Sequence, residues 1–286
     1  MYYTIYNPLT ANGKGIELLD KFKSIYSKQF QNIIYVNTLE TEYDNFSKNL
    51  TPEDNIIILG GDGTVNIFIN RYKKYNLECD VFLFAPEYGN DFIKDIDAKP
   101  YTLINITKYL INLPYTIIDN EKFYFLNNVG YGLDGRCCHI AEEKKKNHKR
   151  YSYQRIAAKL LFTYKKKKAT VIIDGQTYQF KNIFLVGTFN SKYYGGGIKA
   201  APTQDRNNDK LTVMAMFSKT HIGAASIFKK IIKGEHLKFK NKVQVLSGNS
   251  ITVRFNKPEY IQVDGEIIGE VYEYSAVKEE IKKDLD

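Results

Sequence analysis

The chain has no tryptophan and only three cysteines in 286 residues, and its apolar runs stay far short of the ~20 residues a membrane-spanning helix needs. A spanning protein is therefore not expected. Cys79, Cys137 and Cys138 are odd in number, two are adjacent, and none has metal-ligand spacing, which excludes a disulfide framework and a zinc site and fits a reducing cytoplasm. His139, His148, His221 and His236 show no His-x-x-x-His spacing, and Gly-x-Ser-x-Gly is absent, so zinc and serine hydrolases lack support. The N-terminus has no basic region followed by an apolar segment, so no export signal is expected. There is no low-complexity tract, internal repeat or long polar linker.

Lys and Arg number 41 against 32 Asp and Glu, an excess of 41 − 32 = 9, which favours anionic partners such as nucleotide or anionic headgroups. No nucleic-acid-binding motif accompanies the charge, so nucleic acid is not expected as a partner. Strand and helix signals alternate over the first ~120 residues: strands over 3–6, 33–37, 56–59 and 80–85, helices over 16–26 and 43–49 and from Val65 onward. Such alternation predicts a doubly wound α/β domain with its ligand at the carboxyl ends of the strands. After Pro114 the pattern becomes short strands over 123–127, 169–173, 177–180, 183–188, 211–217, 242–246, 250–256 and 260–263, interrupted by helices over 153–164 and 222–232. The expected division is 1–120 for the α/β domain and 121–270 for a mainly β domain, with about 270–286 packing back on the first.

The densest chemistry lies where the apolar run Ile56, Ile57, Ile58 and Leu59 meets Gly60-Gly61-Asp62-Gly63-Thr64. A glycine turn between strand and helix lets the backbone approach phosphate, with the amides of Thr64, Val65 and Asn66 expected to face outward at the positive helix end. A carboxylate beside phosphate implies a cation, so Asp62 suggests Mg²⁺, directly or through water. Asn7-Pro8 and Gly13-Lys14-Gly15 close the first strand at the same edge, where Lys14 can reach phosphate; GxxxxGK[ST] is absent, so this is no P-loop. Asn90 and Asp91 follow the fourth strand, and Asp91 adds a second carboxylate there. Gly130-Tyr-Gly132-Leu-Asp-Gly135 is a formal GxGxxG, yet it opens the β-rich part without a βαβ unit, which argues against dinucleotide binding. In Val263-Asp264-Gly265-Glu266, two carboxylates one glycine apart suit one to a metal network and the other to accepting a proton, although Asp-Gly alone is also a hairpin turn. Basic clusters from Lys144 through Arg150 and from Lys165 to Lys168 flank an amphipathic segment containing Ile156, Ala157, Leu160, Leu161 and Phe162, which suits either an anionic membrane surface or a core helix with solvated ends.

Gly-Gly-Asp-Gly-Thr resembles the nucleotide-binding motif shared by the diacylglycerol kinase-like lipid kinases and the NAD kinases. Asp264-Gly265-Glu266 resembles the lipid branch, as do Asn128, Gly132 and Asp134, and so does the run of Gly195, Gly196 and Gly197 with Pro202 and the acidic turn from Asp205 to Asp209. The likeness extends from Asn7 to Glu266. Two departures stand out: the segment from Pro86 to Asp91 is one residue shorter than the family's and lacks its Gly-Thr, and Lys210 replaces the usual glycine. The resemblance implies an α/β nucleotide-binding domain and a C-terminal β-sandwich with the active site in the cleft between them. It implies ATP phosphates on Gly60, Gly61, Gly63 and Thr64, helped by Asn7, Lys14, Thr38 and Asn90; Mg²⁺ organised by Asp62 and Asp91; and a structural Mg²⁺ at Asp209 and Leu211. Glu266 becomes the general base, supported by Asp264, with Asp62 the third catalytic carboxylate. The expected activity is ATP-dependent, Mg²⁺-requiring phosphorylation of a lipid alcohol such as diacylglycerol, in the cytoplasm or at the inner face of the membrane. An NAD kinase-like enzyme and a catalytically silent nucleotide- or lipid-binding protein are the alternatives. The oligomeric state is open, a homodimer included.

Overall fold

The computed structural model describes residues 1–30, 32–40, 46, 48, 50–75, 78–87, 90–147, 149–150 and 152–278. It divides into two compact units, Met1–Ile111 and Asn112–Asp286. Among the described residues no helix is long and apolar enough to cross a membrane.

The first unit runs β1 (Tyr2–Tyr6), α1 (Thr10–Gly13), α2 (Gly15–Tyr26), β2 (Ile33–Asn37), β3 (Asn55–Leu59), α3 (Asp62–Tyr75), β4 (Asp80–Phe84), α4 (Asp91–Asp95), β5 (Leu103–Asn105) and α5 (Thr107–Leu110). The sheet order is β2-β1-β3-β4-β5. The first four strands are parallel and β5 is an antiparallel edge. Ile56, Ile57, Ile58 and Leu59 are all buried, the continuous apolar run expected of a strand covered on both faces. Leu18, Leu19 and Phe22 of α2 close one of those faces against Ile57, Leu59 and Phe84. The order reverses between β1 and β3, so the crevice of this sheet opens where β1 runs into Asn7 and β3 into Gly60. The helix expected over 43–49 falls mostly outside the described residues.

The second unit carries β6 (Tyr115–Ile118), β7 (Glu121–Tyr124), β8 (Asn128–Gly132), α6 (Leu133–Lys146), α7 (Tyr153–Thr163), β9 (Lys167–Ile173), β10 (Gln176–Phe189), β11 (Leu211–Phe217), α8 (His221–Lys233), β12 (Val243–Gly248), β13 (Ser250–Val263) and β14 (Glu266–Val277). The long strands β10 and β13 each pair with β9 along one half and β8 along the other, which builds a sandwich rather than a flat sheet. Each reads as two short strands in the sequence. Asn182, at φ +58, marks the irregularity in β10, and the register shift between Arg254 and Glu259 accommodates Pro258, which has no amide to give the ladder. Tyr115–Ile118 pairs with β14, so the second unit begins earlier than residue 121. Strand β14 pairs with β13 and β6 in this same sheet, whereas the sequence reading puts the chain after about 270 on the first domain; residues 279–286 lie outside the described residues.

Candidate active site

In the first unit the expected nucleotide residues gather at one sheet edge. The Thr38 amide donates to the Tyr6 carbonyl at 3.0 Å, which puts it beside Asn7, and the Gly60 amide donates to the Phe84 carbonyl at 3.2 Å. Gly15 packs so tightly on this loop that a Cβ there would lie 2.0 Å from the Asn7 carbonyl oxygen. The Thr64 hydroxyl meets that of Thr10 at 2.8 Å, a link the sequence reading missed because 54 residues separate the partners. Lys14 is exposed. The outward amides differ from expectation. Thr64 and Val65 donate to the Gly61 carbonyl at 3.0 and 3.1 Å because the helix starts at Asp62, so the amides without a partner among the described residues are those of Gly61 and Gly63. Among the described residues a Cβ on Gly63 would meet nothing within 4 Å, leaving room for phosphate oxygens.

Asp62 ties this edge together. Its carboxylate accepts from the Asp91 amide at 2.7 Å and the Phe92 amide at 3.2 Å, which joins the glycine turn to the start of α4. Asn90, buried, donates through its side chain to the Pro86 carbonyl, and Asp91 is buried as well. Tyr88 and Gly89 lie outside the described residues. Each carboxylate oxygen has more than one acceptor site, so Asp62 can hold these amides and still face Mg²⁺ through water.

In the second unit, Asp264 and Gly265 form the two-residue turn joining β13 to β14, at φ +48 and +92, the conformation that favours Asp-Gly in a tight hairpin. The Asp264 carboxylate is not left to solvent. It accepts from the amides of Leu126, Asn127 and Asn128 at 2.5, 2.8 and 2.9 Å. Glu266, the next residue but one, is exposed. The segment that binds Asp264 is itself pinned from behind: Arg206, buried, donates to the Leu126 carbonyl at 3.2 Å and the Asn127 side chain at 3.1 Å, and Lys278, buried, donates to the Asn190 side chain at 2.8 Å. Neither cation stands out in the sequence.

The glycines of Gly130-Tyr-Gly132-Leu-Asp-Gly135 serve packing. Gly132, at φ +94, opens α6, and a Cβ on Gly135 would lie 2.2 Å from the Tyr260 carbonyl oxygen. Asp134 projects from the first turn of α6 and accepts from the Gln262 side-chain amide at 2.8 Å. Burial holds its carboxyl up at about 6 from an ordinary 3.8, with the Gln262 hydrogen bond opposing. Folding thus favours the protonated form, and the stabilisation, complete below about pH 4, is lost as pH rises through about 6. Asp134→Asn should abolish this component, so wild-type stability relative to the variant falls by on the order of 1–3 kcal/mol between about pH 4 and 7 in denaturant titrations. A difference that stays constant with pH would contradict it.

The acidic turn is closed from within by Gln204. Its side-chain NH₂ donates to the carbonyls of Asp205 at 3.2 Å and Lys210 at 2.9 Å, and its carbonyl accepts from the Thr212 hydroxyl at 2.6 Å. Asp209 is exposed on this turn and Leu211 is buried in β11. Among the described residues no group of three or more His, Cys, Asp and Glu side chains is poised to hold a metal. In α7, Ile156, Leu160 and Leu161 belong to the core while Phe162 is exposed, and Lys167 pairs with the buried Glu259 at 3.4 Å.

A doubly wound α/β unit with a glycine-aspartate turn at its switch point, followed by a β-sandwich with an Asp-Gly-Glu hairpin, defines a class, and the comparisons agree. Residues 1–112 match the diacylglycerol kinase catalytic domain, and residues 127–280 match the YegS C-terminal NAD kinase beta sandwich-like domain. The chain belongs to the diacylglycerol kinase-like family of bacterial lipid kinases. A Staphylococcus epidermidis protein named "Putative lipid kinase" is 23% identical over 266 residues, covering 92% of this chain and 85% of that protein. "Putative lipid kinase YtlR" of Bacillus subtilis is 20% identical over 297 residues, with 94% of each chain covered. A solved Bacillus anthracis structure, titled a putative diacylglycerol kinase, superposes with a TM-score of 0.71 at 20% identity over 97% of this chain and 92% of its own, which establishes the shared fold.

Proposed function

We propose that this chain is an ATP-dependent, Mg²⁺-requiring kinase that phosphorylates the hydroxyl of a lipid, diacylglycerol or a related lipid alcohol. The observation that carries the reading is the hairpin at Asp264: three backbone amides hold the Asp264 carboxylate, and the exposed carboxylate of Glu266 extends from the turn so fixed. Membership in the lipid kinase family and the amides of Gly61 and Gly63, without a partner among the described residues at the first unit's switch point, support it.

In this reading Gly61 and Gly63 bind the phosphates through their amides, with Thr64 braced by Thr10, and Lys14, Asn7, Thr38 and Asn90 complete the contact. Asp62 and Asp91 hold Mg²⁺, which when bound neutralises phosphate charge. Glu266 takes the proton as the lipid oxygen forms its bond to the γ-phosphorus and the bond to ADP breaks. Positioning and charge neutralisation supply most of the rate. The exposed Phe162, with the lysines near α7, would meet an anionic membrane surface as the source of the acceptor, while the apolar stripe of α7 is spent on the core. The test offers γ-labelled ATP with diacylglycerol in mixed micelles and with NAD in the aqueous phase. Label that extracts into solvent supports the lipid reading. Label confined to NAD would replace it with an NAD kinase, and ATP binding without transfer to any acceptor would mean a silent binding protein.

A further inference from the structure

We infer that Gln262 is a positioning residue for Glu266 and that Asp134 sets the direction in which its side-chain amide points. The inference rests on the reading of Glu266 as the proton acceptor. Gln262 lies in β13, buried, two residues before the Asp264–Gly265 turn. Its NH₂ donates to Asp134 Oδ2 at 2.8 Å, and its carbonyl oxygen accepts from the Gly265 amide at 2.6 Å. Above about pH 6 Asp134 is ionised and has only acceptors, so the Gln262 amide turns its NH₂ toward Asp134, which leaves the carbonyl for Gly265. The two hydrogen bonds therefore have one polarity, fixed from α6 and delivered to the turn.

Gly130, opposite Gln262 in β8, makes room for this pair. A Cβ at Gly130 would fall 1.7 Å from Asp134 Oδ2 and 2.4 Å from the Gln262 side-chain nitrogen. This gives Gly130 a reason that concerns neither nucleotide nor φ, since its backbone is ordinary strand. The turn is then held at two successive residues: Asp264 by the amides of Leu126, Asn127 and Asn128, and Gly265 by Gln262. Glu266 is the residue that follows, so the direction in which its carboxylate leaves the strand depends on both anchors. A shift of about 1 Å in a reacting group can cost about 10²-fold in rate.

Reversing the polarity of the two hydrogen bonds tests the inference. At a pH well above 6, where Asp134 is ionised, Gln262→Glu sets two carboxylates against each other and breaks the relay. Adding Asp134→Asn restores it in reversed form, because the introduced asparagine can donate to the introduced glutamate, whose second oxygen accepts the Gly265 amide. Turnover with diacylglycerol in mixed micelles, KM for ATP, melting temperature and hydrogen exchange at the Gly265 amide are measured for Gln262→Glu and for the Asp134→Asn/Gln262→Glu pair. The expected result is a kcat loss of about tenfold or more in the single variant, with KM for ATP unchanged and faster exchange at Gly265, and recovery of both kcat and protection in the double variant. A double variant that melts like wild type yet recovers neither, or a single variant with wild-type kcat and protection, would overturn the inference. Failure of the Glu266 reading shows separately: Gly265 protection would follow the relay while kcat did not.

Discussion

Glu266→Gln should lower kcat about 10²–10⁴-fold while leaving ATP affinity and melting temperature near those of the wild type. A lipid alcohol attacks only as its proton leaves, and an amide cannot take that proton. The carboxylate is exposed at the start of β14, away from the sandwich core, so its loss should not be felt in the fold. Asp264→Asn makes the contrast. Asn offers one acceptor oxygen where three amides now point, so the variant should lose about 2–4 kcal/mol of stability along with whatever turnover depends on the turn. Stability curves and lipid turnover for the two variants separate the roles. Unchanged turnover in a folded Glu266→Gln protein removes it as the base.

The second large effect is expected at Asp62. Asp62→Asn should reduce turnover by orders of magnitude, because a neutral amide cannot hold Mg²⁺ beside phosphate. The structure adds a smaller cost. The carboxylate spans two amides at the start of α4, and Asn can satisfy one of them, so a stability loss of about 1 kcal/mol accompanies the defect. The two effects part in a Mg²⁺ titration of ATP binding. A metal defect shifts the Mg²⁺ midpoint, whereas pure loss of the α4 contact would lower Tm and leave that midpoint in place. Near-normal transfer by the folded variant would take Asp62 out of the metal network.

What was legible in the sequence shares one property: its signal is local. The apolar run of β3 and the glycines that follow it are contiguous, as are the Asp-Gly of the hairpin and the apolar stripe of α7. Elements were missed where the local signal is diluted. In α6 the buried residues Leu133, Cys137 and Ala141 do recur at helical spacing, but they sit between a glycine-rich start and a charged second half, so no helix is read there. Strand β6 is four residues long and is stabilised by pairing with β14, some 160 positions away. The polar supports of the site were least visible. Gln262 and Asp134 are 128 residues apart, and Asn128 and Asp264 are 136 apart, so only the folded sheet brings them together. Gln204, Arg206 and Lys278 carry no motif at all, since any polar residue placed there by the fold could have read the same in sequence.

The most direct measurement is transfer of label from γ-labelled ATP into a mixed lipid extract containing diacylglycerol, with and without Mg²⁺, run beside Glu266→Gln. The account predicts Mg²⁺-dependent label in a single class of solvent-extractable phosphorylated lipid alcohol, falling at least about 10²-fold in the variant. Equal labelling by wild type and Glu266→Gln, or no lipid labelling by a wild-type protein that binds ATP, would contradict it.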